Sequence, residues 1–295
     1  MTESVALVLV AYQHTEAEIN LILEQWERQS QPPGQAYVVA NSPLQSPSQL
    51  SKRARLLDPG RNLGFTGGVN LAARAAREDG FTRLLLSNLD VELLSRDLVM
   101  KLTGVFSAHP DCAFASPGIV MWPETSRIWY RGARVLRPVW LAHHSHIGRR
   151  WEEPSRGAVL TGYFSGCCAL IELEKFLALG GFEEVLFMYY DEADIAERAR
   201  ARGWTSWLLD EPLVAHAKHG RSLSEHEAYW HARNSRMLVW RHEHGARRIV
   251  GRAAQWAVMP AQLLRCDSWK SRAAYLAGFR GRRPRPVRRG EPSCQ

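Results

Sequence analysis

The sequence predicts an α/β fold with a mixed, mostly parallel central sheet flanked by helices, and three stretches carry that expectation. Residues 5–10 (VALVLV) form an unbroken apolar run bounded by polar residues, the pattern of a strand covered on both faces. Ile19, Ile22, Leu23 and Trp26 then recur at helical spacing. Residues 36–39 (AYVV) return as a second apolar run after the Pro32-Pro33-Gly34 breaker. Strand, helix and strand in this order make a βαβ unit, whose crossover helix lies on a sheet face and keeps the strands parallel.

The alternation continues. A Ser/Pro/Gln-rich loop covers residues 41–51, and residues 61–70 (RNLGFTGGVN) open a helix that runs on through Leu71, Ala72, Ala75 and Ala76. Residues 83–87 return as a strand, with Asn88-Leu89-Asp90 directly at its end. Ligands of open α/β sheets bind outside the carboxyl ends of the strands, so these polar residues are expected to converge on one crevice. Further strands are expected at 113–121, 128–136 and 166–173, a short helix at 174–179 stopped by Gly180-Gly181-Phe182, and a helix at 191–202. Two short closing strands are expected at 204–208 and 213–216. Residues 139–155, rich in Trp, His and Arg without a period, read as a mobile loop. A helix from His226 carrying Tyr229, Trp230, Met237, Leu238 and Trp240 leads into an apolar-basic stretch at 249–275. The Pro- and Arg-rich end at 280–289 is expected to be disordered. The expected division is one α/β domain over 1–240 and a basic, helical C-terminal extension over 241–295.

With 295 residues and 45% hydrophobic content, the chain can bury a full core in one large domain. Its five cysteines have no regular spacing, and Cys167 and Cys168 sit inside an apolar run, which suggests reduced thiols and hence a cytoplasmic location. The first residues lack the basic region of a secretion signal, and no apolar stretch nears the ~20 residues that span a bilayer. The net charge of +8 is lopsided, because from Arg241 onward 13 Lys and Arg stand against 3 Asp and Glu. Such a segment suits phosphates, whether of nucleic acid, anionic lipid or a lipid-linked substrate. No nucleic-acid module accompanies the charge, so nucleic acid is not an expected partner. Contact with an anionic membrane, at the inner face of the plasma membrane, is the expectation set against a merely solvated tail.

Three polar groupings stand at the expected crevice. Asp90 suits a hard divalent cation, although an aspartate after a strand is equally a turn residue. Gly64, Gly67 and Gly68 let backbone approach a ligand or simply open a helix, and they lack the Lys-Ser/Thr ending of a phosphate loop. Asp191-Glu192-Ala193-Asp194 supplies either a proton acceptor or an acidic helix start. Asp194 precedes Arg198 by four residues, the spacing of an intrahelical ion pair.

Four blocks in order resemble bacterial family-2 glycosyltransferases, particularly the rhamnosyltransferase-like branch, over residues 5–240. They are the first strand, the segment 62–70, Asn88-Leu89-Asp90, and the stretch from Gly180-Gly181-Phe182-Glu183-Glu184 into residues 187–194 (FMYYDEAD). The resemblance implies a GT-A fold with a donor half over 1–120 and an acceptor half over 121–240. It implies inverting, metal-assisted transfer of a hexose or deoxyhexose, rhamnose among them, from a dTDP- or UDP-sugar to a hydroxyl of a glycan, lipid-linked or natural-product acceptor. Asp90, with Asn88, is implied to bind the donor's phosphates through Mg²⁺ or Mn²⁺. Asn62, Gly64, Phe65, Gly67, Gly68 and Asn70 are implied on the nucleotide side, and Glu192, with Asp191 as rival, as the catalytic base. His216 resembles the family's late histidine that meets the metal or the diphosphate, with His219 and Arg221 beside it. Gly162, Tyr163, Phe164 and Asp194 fall on the acceptor side, Phe164 being equally well explained by core packing. Arg233-Asn234 matches a further family element. After the second strand the family usually has Asp-Asn-x-Ser where this chain has Ala40-Asn41-Ser42, which leaves the nucleobase to Asn41 or to a pocket that accepts thymine as well as uracil. The alternative reading is a non-catalytic sugar-nucleotide or glycan-binding protein on the same fold, supported by the departures at Ala40 and Asp191-Glu192.

Overall fold

The computed structural model describes residues 4–152, 155–217 and 222–281. These fall into two compact units, the first from residues within 4–134, 144–187 and 191–217, the second from 135–143, 188–190 and 222–281.

The first unit begins as the pattern predicts, with β1 (Val5–Ala11), α1 (Glu16–Glu27) and β2 (Gln35–Ala40). Thr15 and Glu18 cap α1 reciprocally, and its buried Trp26 donates from Nε1 to Ser87 Oγ at 3.2 Å. A short edge strand β3 (Ala54–Leu57) follows, then α2 (Gly64–Glu78), β4 (Arg83–Ser87), β5 (Val91–Leu93), α3 (Leu98–Ala108), β6 (Cys112–Met121) and β7 (Ile128–Tyr130). Next, β8 (Ala133–Leu136) and β9 (Leu141–His144), whose residues 135–143 belong to the second unit, form a separate two-stranded sheet. The chain continues through β10 (Ala158–Thr161), β11 (Cys168–Glu172), α4 (Leu173–Ala178), α5 (Asp191–Arg200) and β12 (Thr205–His216).

The main sheet has the order β10-β12-β6-β11-β4-β1-β2-β3, with β5 on β12 and β7 on β6. Strands β3, β2, β1, β4, β6 and β12 share one direction, and β11 runs reversed between β4 and β6. The sheet is thus mixed with a parallel majority direction. Val8, Tyr37, Val69, Ala73, Leu86 and Phe114 belong to the core between sheet and helices.

Several expectations are corrected. The strand expected over 128–136 is broken at Arg131-Gly132, where the Arg131 guanidinium turns inward to Asp210 at 2.6 and 3.0 Å. The two closing strands are one, β12, whose register to β6 shifts on either side of Pro212, so an irregularity absorbs the residue that lacks a donor. The stretch 139–155 is not simply a loop: Leu141–His144 is a strand and Trp140 is fully buried, while residues 153–154 lie outside the described residues.

In the second unit, α6 (Glu225–His242), α7 (Gly245–Leu263) and α8 (Trp269–Phe279) pack around Leu223, Ala228, Ala232, Cys266, Tyr275 and Phe279. The boundary expected at 240 therefore cuts a helix, because α6 packs along α8 rather than ending a domain. Trp140 is anchored here: its Nε1 and the Arg137 Nε donate to the buried Glu243 carboxylate at 2.9 and 2.7 Å. Asn234 donates to the carbonyls of Met188 and Tyr189 at 2.8 and 3.0 Å. Cys112, Cys167, Cys168 and Cys266 are free and buried, and most of the expected disordered end lies outside the described residues.

Candidate active site

At the end of β4 the chain turns through Asn88-Leu89-Asp90 into β5, which pairs antiparallel with the end of β12 so that Val91 lies opposite His216. The Ala217 amide donates to Asp90 O at 3.1 Å and closes that register. His216 Nε2 consequently stands 3.2 Å from Asp90 Oδ2 but off the line of a full hydrogen bond, and neither ring nitrogen of the buried imidazole has a hydrogen-bond partner. Burial pushes the Asp90 carboxyl up, but the neighbouring imidazole and, more weakly, His14 outweigh it and hold it below its ordinary value.

This pair fits a divalent metal. Adjacent ligands on an octahedral ion with bonds of about 2.1 Å lie about 3 Å apart. The carboxylate oxygen and the otherwise unpartnered imidazole nitrogen match that spacing at 3.2 Å. Among the described residues no cluster of three or more His, Cys, Asp or Glu suits a metal. The remaining positions would go to ligand oxygens and water, as is common for Mg²⁺ on phosphates.

The acidic group meets the same region through β11. Because β11 is antiparallel to β4, with Cys168 opposite Ser87, Gly166 and Cys167 lie beside the Asn88 turn, and the Asn88 amide donates to Cys167 O at 2.8 Å. At the start of α5, Glu192 Oε1 accepts from the Gly166 amide at 3.1 Å. A Cβ at Gly166 would stand 2.8 Å from that oxygen, so glycine is what admits the carboxylate. The buried Cys167 thiol is pushed well up, first by burial and then by charges that include both Asp90 and Glu192. Asp90 and Glu192 thus flank the same Gly166-Cys167 backbone.

The two candidate bases differ in surroundings. Asp191 is buried and neither of its oxygens is hydrogen-bonded. Burial, then the charge of Glu192, drives its carboxyl well above the ordinary range. Glu192 is only partly buried; burial raises its carboxyl too, against its own amide and that of Gly166. Two such neighbours cannot both ionise freely, and both carboxyls are pushed up, the unpartnered Asp191 well above its ordinary range. Asp194 is fully buried and pairs with Arg198 at 2.8 Å, as the spacing predicts. That guanidinium also donates to Leu179 O and Gly181 O at 2.7 and 2.9 Å.

The glycine segment is held from within. Asn41 accepts from the Leu63 amide at 3.0 Å and donates to Gly64 O at 2.9 Å. Asn62 accepts from the Gly64 amide at 2.8 Å, and the Thr66 amide donates to Phe187 O at 3.2 Å. Asn70 exchanges hydrogen bonds with the Phe182 backbone at 2.8 and 2.9 Å. These three asparagines build the segment, and two amides of the first turn of α2 are already engaged. Gly64 sits at φ +71°, and a Cβ there would lie 2.5 Å from Phe187. Gly67 and Gly68 follow inside the buried face of α2, and the half-buried Phe65 ring reaches Gly166, 3.4 Å from where its Cβ would be.

Of the residues expected on the acceptor side, Gly162 donates to Ala133 O at 2.8 Å, and the Tyr163 carbonyl accepts from the Tyr130 hydroxyl at 2.7 Å. The Phe164 ring is fully buried and stacked 4.5 Å from Phe114, a core position rather than a sugar platform. His219 and Arg221 lie outside the described residues.

Two residues at the site were not anticipated. The half-buried Trp129 on β7 places its ring 4.5 Å from that of His216, and His144 lies 5.0 Å from Trp129. The period-two alternation of Ile128-Trp129-Tyr130, buried at both ends, is the signal that turns Trp129 to this side.

No protein-family model matches the chain. A curated protein of Mycobacterium tuberculosis, found in two strains and described as N-acetylglucosaminyl-diphospho-decaprenol L-rhamnosyltransferase, is 29% identical over 220 residues, spanning 67% of this chain and 71% of its own length. Among solved structures, the Pyrobaculum calidifontis mannosyltransferase in complex with GDP-Man and Mn²⁺ superposes with a TM-score of 0.55 at 15% identity, covering 96% of this chain and 76% of that one. GalNAc-T7 with UDP, GalNAc and Mn²⁺ superposes with a TM-score of 0.60 at 12% identity, covering 94% of this chain and 55% of that one. The fold is that of the GT-A glycosyltransferases, and the chain is a glycosyltransferase. Within that class it is similar to the family-2 rhamnosyltransferases.

Proposed function

We propose that the chain catalyses inverting transfer of a hexose or deoxyhexose, rhamnose in the first instance, from a dTDP- or UDP-sugar to a hydroxyl of a lipid-linked, glycan or natural-product acceptor. The observation that carries this reading is that Glu192 and the turn carrying the Asp90–His216 pair both meet the Gly166-Cys167 backbone. The relative's decaprenol-linked substrate supports the lipid-linked acceptor, and the Mn²⁺ beside GDP-Man or UDP in the structural neighbours supports a nucleotide-sugar donor with a divalent metal.

Asp90 and His216 would hold the metal, which when bound neutralises the diphosphate as the glycosidic bond breaks. Glu192 takes the acceptor hydroxyl's proton while that oxygen attacks the anomeric carbon opposite the leaving diphosphate. One displacement on one face inverts the configuration. The Gly166 amide orients one carboxylate oxygen of Glu192, and Asp191, protonated beside it, leaves a single negative charge on the pair. Asn41 acts on the nucleotide side through the glycine segment that it holds.

The test is a panel of dTDP- and UDP-sugars with Mg²⁺ or Mn²⁺ and a polyprenyl-diphosphate-linked N-acetylglucosamine acceptor. Metal-dependent release of the nucleoside diphosphate, with product of inverted anomeric configuration, is expected, and dTDP-rhamnose should be the fastest donor. No release from any donor, with nucleotide affinity indifferent to metal, overturns the reading.

A further inference from the structure

Helix α7 packs inward through the small and polar Gly251 and Gln255 and, near its end, Met259 and Leu263, and leaves a second set of apolar side chains outward. Its buried residues are Gly251 and Gln255. A Cβ at Gly251 would lie 2.5 Å from Pro138 O, and the Gln255 amide donates to Val139 O and Ser235 Oγ, both at 3.1 Å. On the outer side Ile249, Val250, Trp256 and Leu264 are 72%, 56%, 57% and 80% exposed, and Ala253 and Ala257 between them are exposed as well. Positions 249, 253, 256, 260 and 264 follow helical spacing, so these side chains form one continuous stripe. Trp269, opening α8, is 74% exposed.

The charge around this stripe has one sign. No acidic residue occurs between Glu243 and Asp267, while Arg248, Arg252 and Arg265 fall in that interval and Lys270 and Arg272 follow it. Arg248 and Arg252 lie over the half-exposed Trp240 ring, at 5.0 and 4.7 Å from its centre. Contiguous apolar exposure rimmed by polar groups marks an interaction surface, and aromatic and aliphatic residues with arginines at their edges are the composition of helices that lie in a membrane interface. Among the described residues no helix is long and apolar enough to cross a bilayer.

We infer that the outer face of α7 docks on an anionic lipid bilayer, its apolar stripe entering the interface and its arginines meeting headgroup phosphates. A second copy of the chain fits this face less well, since two-fold pairing would set the arginines of one copy against those of the other. The inference is independent of the transfer chemistry and assigns the contact to the helical face rather than to the arginine-rich terminus alone.

Co-sedimentation of the full chain with phosphatidylcholine vesicles, with and without phosphatidylglycerol, tests it. Pelleting is expected with the mixed vesicles and should fall at least about tenfold with phosphatidylcholine alone, because the anionic headgroups are what the arginines meet. The double variant Trp256→Ser/Leu264→Ser, checked for an unchanged melting midpoint, should lose binding by about tenfold, as removal of the interfacial apolar area requires. Trp256→Phe/Leu264→Met should pellet like wild type. In the unaltered protein, tryptophan emission should be quenched by acyl-brominated lipid in the mixed vesicles. Wild-type pelleting of the serine variant overturns the inference, as does absence of quenching. A wild-type dimer that the serine variant dissolves, without vesicle binding, assigns the face to a second copy instead.

Discussion

Asp210 and Asp191 are both buried carboxylates of the same unit, held under opposite conditions. Asp210, on β12, accepts from Arg131 at 2.6 and 3.0 Å and from Arg156 at 2.7 Å, and the Trp151 ring lies 4.5 Å from the Arg131 guanidinium. Burial pushes its carboxyl up, but the two arginines win and bring it down to about 2. Asp191 has burial and a like charge beside it, opposed only by its own backbone amide. The first carboxylate is saturated and serves to hold Arg131, just after β7, and Arg156 against β12. The second is kept uncompensated next to Glu192, and such groups concentrate where proton transfer takes place.

The sharpest separation is between activity and stability. Glu192→Gln keeps the shape and the Gly166 contact but removes the proton acceptor, so transfer should fall by about 10²–10⁴-fold in single-turnover assays while donor affinity holds. Turnover at the wild-type rate would shift the base to Asp191. Asp210→Asn leaves Arg131 buried beside a neutral partner and should cost about 3 kcal/mol in urea unfolding, with little change in the activity of the folded fraction.

The pH dependence should have opposite signs in the two places. Asp210 has its folded pKa lowered from 3.8 to about 2, so its contribution is complete above pH 3.8 and is lost as pH falls through the folded value. The corresponding loss is about 2 kcal/mol, read from acid unfolding midpoints. Asp191 and Glu192 have folded pKa values raised above 3.8 and 4.5, so their contribution is present at acid pH and is lost as pH rises. The acid limb of the transfer rate should accordingly sit above the ordinary glutamate range. The smallest change is expected from Asp191→Asn, which replaces a carboxyl held in its neutral form by an uncharged amide of the same shape and should leave stability at pH 7 within about 1 kcal/mol of wild type or above it. Equal losses from Asp191→Asn and Asp210→Asn would erase the distinction between the two sites.

Much of this was legible because the physics is local. The apolar runs of β1 and β2 announce strands covered on both faces, the helix after Gly64 is written in its glycines and alanines, and the Asp194–Arg198 pair follows from a spacing of four residues. What escaped depends on distant partners or weak local signals. Asp210 meets arginines 79 and 54 residues away, and Trp140, in a stretch without period, is fixed by Glu243 103 residues on. The break expected between residues 208 and 213 is bridged by an irregularity around Pro212 that is visible only once β6 lies alongside. The short strands β3, β5 and β10 carry too few residues to show a period. The carboxylate motif gave the location of the acids, whereas their unequal solvation emerged only from packing.

Position 166 extends this to sequences of the same kind. Its contribution is an absence, the room left by a missing methyl, and through that room the peptide backbone reaches Glu192 Oε1. A chain with Asp90, Glu192 and His216 intact but alanine at 166 would display every polar residue of the proposed site while the carboxylate proposed as its base was levered out of place, a counterfeit that an inspection of charged residues alone would accept.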